Sequence, residues 1–267
     1  MSVPEVLVHR DADVLAAAVA ARLVTRVVDA QAARGAASVV LTGGGIGTAV
    51  LAALADAGAR DAIDWGRLDV WWGDERFLPA GDPERNETGA RKALLDHVPV
   101  DPARVHPMPA ADGPDGDDPE AAAARYAGEL LFSARPDGAA APGDARSSFS
   151  VPAFDVVLLG VGPDAHVASL FPGMPALHER DRPAVAVRNS PKPPPTRISL
   201  TFPVLRAARE VWVLAAGESK AEAVRLGVSG GDPVAAPVAA ARGRERTLFL
   251  LDRAAASRLP VGGVDAP

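Results

Sequence analysis

The sequence predicts an α/β fold, a mostly parallel sheet covered by helices on both faces. Two observations carry that expectation. Short, almost wholly apolar runs such as SVVL (38–41), LDVWW (68–72) and FDVVLL (154–159) alternate with longer segments of helical composition. That order builds parallel strands joined by helical crossovers. Glycine-rich turns also follow the strands, as in TGGGIG after Leu41 and GVGPDAH after Leu159. Polar residues therefore gather at strand carboxyl ends, where open α/β sheets bind ligands.

The elements follow in order. Residues 6–8 form a short strand, and Asp11 or Asp13 caps an alanine-rich helix running toward Arg34. Strand 38–41 leads through the glycine turn into a second helix near Thr48. Strand 68–72 ends at Gly73-Asp74-Glu75-Arg76, helix 86–95 follows, and Pro107-Met108-Pro109 starts a loop. Helix 118–131 has Asp118 or Pro119 at its start. Residues 136–150 (PDGAAAPGDARSSFS) are poor in bulky apolar side chains and read as a flexible excursion. Strand 154–159 comes next, then a short helix after His166, strand 184–187 and the NSPKPPPTR loop. A helix at 202–208, strand 211–215, helix 218–226, strand 247–251 and a helix at 253–258 complete the chain. No internal repeat is visible, and residues 1–267 are expected to form a single α/β domain.

Composition narrows the function. At 267 residues the chain can bury a large core, and its 48% apolar content is that of a globular protein. A formal charge of −6 argues against general nucleic-acid binding, which needs a concentrated basic surface. Cysteine is absent, excluding disulfides, thiolate nucleophiles and zinc-thiolate sites. The start, MSVPEVLVHRDAD, has no apolar signal core, and no stretch is long enough to span a bilayer. A cytoplasmic protein with no membrane partner is expected. The five histidines are scattered with no i,i+4 pair, so no metal site is expected.

Four segments carry chemistry. Gly43, Gly44 and Gly45 let the backbone turn tightly and present N–H groups at a helix start, which suits a small anion or simply a tight turn. The spacing does not match a dinucleotide fingerprint, and no cofactor is expected. Asp74, Glu75 and Arg76 crowd a strand end. Arg76 there either grips a phosphate or carboxylate or braces the loop by pairing with Asp74 or Glu75. His166 either exchanges protons near neutral pH or merely hydrogen-bonds nearby backbone at a capped helix start. Asp164, two residues earlier, either orients its ring or caps the helix expected from Val167, with the cap favoured. Ser169 lacks the elbow of a serine nucleophile. Lys192 and Arg197 flank a proline run, and Lys220 stands in the first turn of a helix, a poor place for a cation without an anion nearby. Trp71 and Trp72 read as core.

The segments WGDERFLPAGDPERNETGARKALLDHV, HPMPA, FDVVLLGVGPDAHVASLFPG, SPKPPPTRISLTFPVL and AAGESKAEAV resemble the 6-phosphogluconolactonases of the pentose phosphate pathway, particularly the actinobacterial type. The resemblance spans most of the chain in the right order. It implies a modified Rossmann-like fold of the sugar-phosphate isomerase/deaminase type. It also implies hydrolysis of a small phosphorylated lactone without redox cofactor or obligatory metal; a monomer or weak homodimer is expected. Through it His166 becomes the acid–base residue, Arg76 matches the arginine of the W-G-D-E-R segment, and Arg197, Lys220 and Gly43 to Gly45 fall on the anion-binding side. Two departures stand out. GGGIG replaces a hydroxyl-bearing loop, and Ala165 occupies a position usually held by glycine, which would strain the backbone if φ is positive. The rival readings are an amino-sugar-phosphate deaminase or isomerase, with Asp74 as its proton-abstracting base, and a non-catalytic sugar-phosphate sensor. The deaminases carry an acid soon after the matching histidine, and HVASLFPG has none.

Overall fold

The strand–helix alternation is realised in a computed structural model that describes residues 2–134, 140–142 and 149–260. The first half comprises β1 (Pro4–His9), α1 (Ala12–Arg34), β2 (Ala37–Leu41), α2 (Gly44–Asp56), β3 (Leu68–Trp72), β4 (Asp74–Arg76), α3 (Asn86–Ala93), β5 (Val105–His106) and α4 (Pro119–Ser133). The second comprises β6 (Ala140–Pro142), β7 (Ser150–Pro152), β8 (Val156–Gly160), β9 (Ala184–Val187), β10 (Arg197–Leu200), α5 (Phe202–Ala207), β11 (Glu210–Ala215), α6 (Ala221–Ser229) and β12 (Arg246–Asp252).

Seven strands form the central sheet in the order β1-β12-β11-β8-β2-β3-β5, every pair parallel. Helices flank it, as expected of strands apolar on both faces. The chain starts at one edge, crosses to β2, and adds β3 and β5 outward. It then returns to lay β8 on the other side of β2 before β11 and β12. Winding reverses between β2 and β8, so the loops leaving their carboxyl ends diverge and open a crevice.

Local signals set several boundaries. Asp11, rather than Asp13, caps α1 by accepting the Val14 N–H at 2.9 Å, and Gly35 closes it at φ 78°. Leu15, Val19, Leu23 and Val27, spaced four apart, form its buried stripe. Asp118 caps α4, with Pro119 at its first position. Trp71, Trp72, Trp212 and Phe249 are buried in the core.

The structure corrects the sequence reading at several points. The second helix begins at Gly44, earlier than Thr48. Residues 253–258 make turns rather than a helix, with Asp252 accepting the Ala255 N–H at 2.7 Å. No helix follows His166; that segment turns back on itself through bridges pairing Val161 with Val167 and Val167 with Leu170. The NSPKPPPTR loop runs into a strand the sequence analysis missed, β10, which joins β4 and β9 in a separate antiparallel sheet. Of the expected excursion at 136–150, most residues lie outside those described; 140–142 pair antiparallel with β7.

His106 shows why not every histidine is a site. Its ring stacks on Trp71 at 3.9 Å, with Nδ1 2.6 Å from Glu129 Oε1 and Nε2 3.5 Å from Asp69 Oδ1. Burial opposes its protonation, but the Asp69 and Glu129 carboxylates outweigh it and push the pKa up to about 8. The unfolded chain releases this proton near 6.5. The stabilisation is therefore complete below that value and is lost as pH rises through about 8, and it amounts to roughly 1 kcal/mol once partial exposure of the carboxylates is discounted. Thermal unfolding of wild type and His106→Gln across neutral to alkaline pH should show the wild-type advantage shrinking through that window. A gap independent of pH would leave stacking as the sole contribution.

Candidate active site

The loops leaving β2, β8 and β11 meet β4 and the 190–197 segment around a cleft of about 450 Å³ at the switch point of the sheet. Gly43, Gly44, Gly45, Asp74, Arg76, His166, Arg197 and Lys220 all line it. Asp164 stands behind His166. These eight candidates of the sequence thus share one space, and Asp164 touches one of them. Among the described residues, four cationic side chains and a single carboxylate line the cleft of a chain whose formal charge is −6.

His166 and Asp164 form a hydrogen-bonded pair, Nδ1 to Oδ1, at 2.6 Å. The favoured cap role for Asp164 is thereby overturned, because no helix starts there and its carboxylate is engaged by the ring. Partial burial opposes ionisation of Asp164, but hydrogen bonds and charge from His166 and Lys192 hold it well below the usual carboxylate range. A carboxylate only accepts, so the proton of a neutral ring belongs on Nδ1 and the lone pair on Nε2. Phe171 supports the ring at 4.4 Å between centroids. Gly162 makes room: a Cβ there would fall 2.0 Å from His166 Nδ1 and 2.2 Å from Asp164 Oδ1. Ala165 does adopt positive φ, 67°, a strain of order 1 kcal/mol for an L-residue. Hydrogen bonds to Gly162 O at 2.9 Å and from Val238 N at 3.0 Å hold it there.

Alternation along β4 sorts its three polar residues. Asp74 and Arg76 point toward the cleft, while Glu75, between them, faces the other way and is 1% exposed. Glu75 accepts N–H groups from Arg76, Asn86 and Glu87 and lies 3.8 Å from the buried Arg85 guanidinium. Burial pushes its carboxyl up to about 7 against the pull of Arg85 and those donors. Arg76 therefore does not brace the loop through Asp74 or Glu75; its guanidinium donates to Asn86 Oδ1 and, at 3.1 Å, to Glu84 O. Asp74 accepts from Ser169 Oγ at 2.6 Å.

Arg197 sits directly opposite Arg76 in the β4–β10 register. Like charges directly opposed across strands are unfavourable, and burial together with Arg76 lowers the Arg197 pKa against the opposing effect of Asp74. Arg197 also donates to the carbonyls of Lys192, Pro193 and Pro194, bracing the proline loop. Lys220 closes the far side in a 3-10 turn just before α6. Its pKa is lowered by burial and by the nearby Lys192 charge, against the pull of Asp164.

The glycine loop supplies backbone donors. Gly43 precedes α2 without a side-chain cap, and the first turn of α2 carries no acid, so N–H groups are left for another acceptor. Gly44 has φ 78°, a conformation that favours glycine. Thr42 Oγ1 accepts the Gly160 N–H at 3.1 Å, tying this loop to β8.

Two residues of the cleft escaped the sequence analysis as site residues. Lys192 was noticed only as a flank of the proline run, yet its Nζ lies 3.1 Å from Asp164 Oδ1 and 3.5 Å from His166 Nδ1. Asn86 was read only as a helix start. A local signal for it existed: a polar first residue of a short helix placed soon after an acid-rich strand end.

Comparisons with known proteins converge. The sequence profile of the glucosamine-6-phosphate isomerases/6-phosphogluconolactonase family matches residues 10–250. A 6-phosphogluconolactonase of Streptomyces coelicolor is 63% identical over 257 residues, covering 96% of this chain and 95% of that protein. The solved 6-phosphogluconolactonase of Trypanosoma brucei superimposes with a TM-score of 0.81 at 29% identity, covering 96% and 99% of the two chains. A monomeric glucosamine-6-phosphate deaminase shares the fold, with a TM-score of 0.72 at 20% identity over 95% of this chain and 99% of that one.

Proposed function

Given that the chain belongs to the glucosamine-6-phosphate isomerase/6-phosphogluconolactonase family, we propose that His166 is the general base of its reaction. That reaction is the hydrolysis of 6-phospho-D-glucono-1,5-lactone to 6-phospho-D-gluconate in the pentose phosphate pathway. The observation that supports this reading most is the Asp164–His166 pair at 2.6 Å, backing onto a cleft rich in cations.

A δ-lactone needs one positioned water, a base, and stabilisation of the charge that builds on its carbonyl oxygen. Nε2 of His166 takes a proton from water as the water oxygen bonds to C1. The tetrahedral oxyanion is stabilised by Arg76 or by a backbone N–H near the glycine loop. The C1–ring oxygen bond then breaks, the imidazolium returns its proton to the departing ring oxygen, and the new carboxyl loses its remaining proton to solvent. Asp164 holds the ring and stabilises the imidazolium, with Lys192 keeping Asp164 anionic. Arg197, Lys220 and the 43–47 loop hold the phosphate. Binding remote from C1 raises the rate only if it fixes the lactone in a reactive pose.

The test is direct. The purified chain should hydrolyse 6-phosphogluconolactone well above its spontaneous rate and act far more weakly on unphosphorylated gluconolactone. Equal efficiency on both would overturn the phosphate-anchored reading. Ammonia released from glucosamine 6-phosphate would favour the deaminase reading, with Asp74 as the base.

A further inference from the structure

We infer that Asn86 is a positioning residue of this active site, a single amide that holds Asp74, Arg76 and the glycine loop in mutual register. The inference rests on the lactone-hydrolase reading of the cleft.

Asn86 is the first residue of α3 and is 6% exposed. Its Nδ2 donates to Asp74 O at 2.8 Å and reaches Asp74 Oδ1 at 3.3 Å, while its Oδ1 accepts from Arg76 Nη1. Its oxygen also packs against Gly43: a Cβ on Gly43 would fall 1.8 Å from Asn86 Oδ1. One side chain therefore touches two groups of β4 and the loop after β2.

The chemistry of these contacts selects an amide. The side toward Asp74 must donate and the side toward Arg76 must accept, and a carboxamide does both at this length. Aspartate keeps the shape but offers no donor, and it sets a negative charge beside Asp74. Alanine keeps neither contact. The amide itself is held from behind. Glu75, on the opposite face of β4, accepts the Asn86 N–H at 2.6 Å and the Glu87 N–H at 2.8 Å, thereby capping the start of α3. Arg85 lies 3.8 Å from Glu75 and donates to the Met108 carbonyl at 2.7 Å, anchoring that carboxylate in the buried layer. Two opposed arginines, Arg76 and Arg197, would otherwise be free to splay apart. Asn86 and the Glu84 carbonyl fix the first, and the 192–194 carbonyls fix the second.

A double-mutant cycle tests this on the full chain. Asn86→Ala and Arg76→Ala should each lower kcat/KM on 6-phosphogluconolactone by roughly 10- to 100-fold. The double variant should lose little more than the worse single one, because removing either partner releases the other. A parallel cycle of Asn86→Ala with Lys220→Ala, across the cleft, should be multiplicative. Asn86→Asp, which preserves shape, should show a loss close to that of Asn86→Ala, and it carries the test if the alanine variant does not fold. Multiplicative losses with Arg76, or near wild-type kcat/KM for folded Asn86→Asp, would overturn the proposal. Wild-type protein without lactonase activity would instead overturn the reading beneath it.

Discussion

His166→Asn should abolish most lactonase activity while leaving binding of 6-phosphogluconate intact. General-base assistance is worth about 10²–10⁴-fold, and asparagine fills similar space without a basic nitrogen. The variant should fold, since the ring contributes a contact to Phe171 but sits in a partly open cleft. Stopped assays with the spontaneous rate subtracted would give the loss, and calorimetric titration with 6-phosphogluconate would show that the site persists. Asp164→Asn should lose less, about 10- to 100-fold, because the amide still contacts Nδ1 but can favour the wrong tautomer and no longer stabilises an imidazolium. Near-normal turnover by folded His166→Asn would sink the assignment. Asp74 would then be the next base to test, although its carboxylate already accepts from Ser169 and Asn86.

Lys220→Ala should weaken use of the phosphorylated lactone by about 10- to 150-fold in kcat/KM, the equivalent of roughly 1.5–3 kcal/mol for a charge-assisted hydrogen bond. Unphosphorylated gluconolactone should be hardly affected. Lys220 is the cleaner probe of the anion site because its pKa is lowered by burial and by a neighbouring cation, the condition a bound dianion relieves. Arg197→Ala is less discriminating, since the same change removes hydrogen bonds to three successive carbonyls of the proline loop. A structural contribution from Arg197 would lower activity on both lactones. Equal losses on both substrates for Lys220→Ala would show that it supports the chemistry or the fold instead.

The sequence alone determined the α/β class and the positions of the catalytic histidine candidate, the glycine loop and the basic residues. Each is a local property. Apolar runs declare strands, glycines declare turns, and a parallel sheet brings its carboxyl-end turns to one side whatever the loop details. The family resemblance added the concern over Ala165, which stands where that family usually has glycine and adopts φ 67°.

What only the tertiary structure decided is which of several adequate partners each polar group takes. Asp164 had two local roles open to it, and the absence of a helix beyond Val167 together with Lys192, 28 residues away, settled it on the ring. Arg76 had neighbouring carboxylates, yet strand alternation turned Glu75 to the far face, and Asn86 and Arg197 became its surroundings. Ser169, dismissed as a nucleophile, donates to Asp74 from 95 residues along the chain. Strand β10 was hidden behind a proline-rich loop because its pairing, antiparallel to both β4 and β9, is specified by those distant strands. Composition and periodicity fix backbone conformation within a few residues. Hydrogen-bond partnership depends on distances across the folded chain, and many pairings of the same donors and acceptors satisfy the same local pattern.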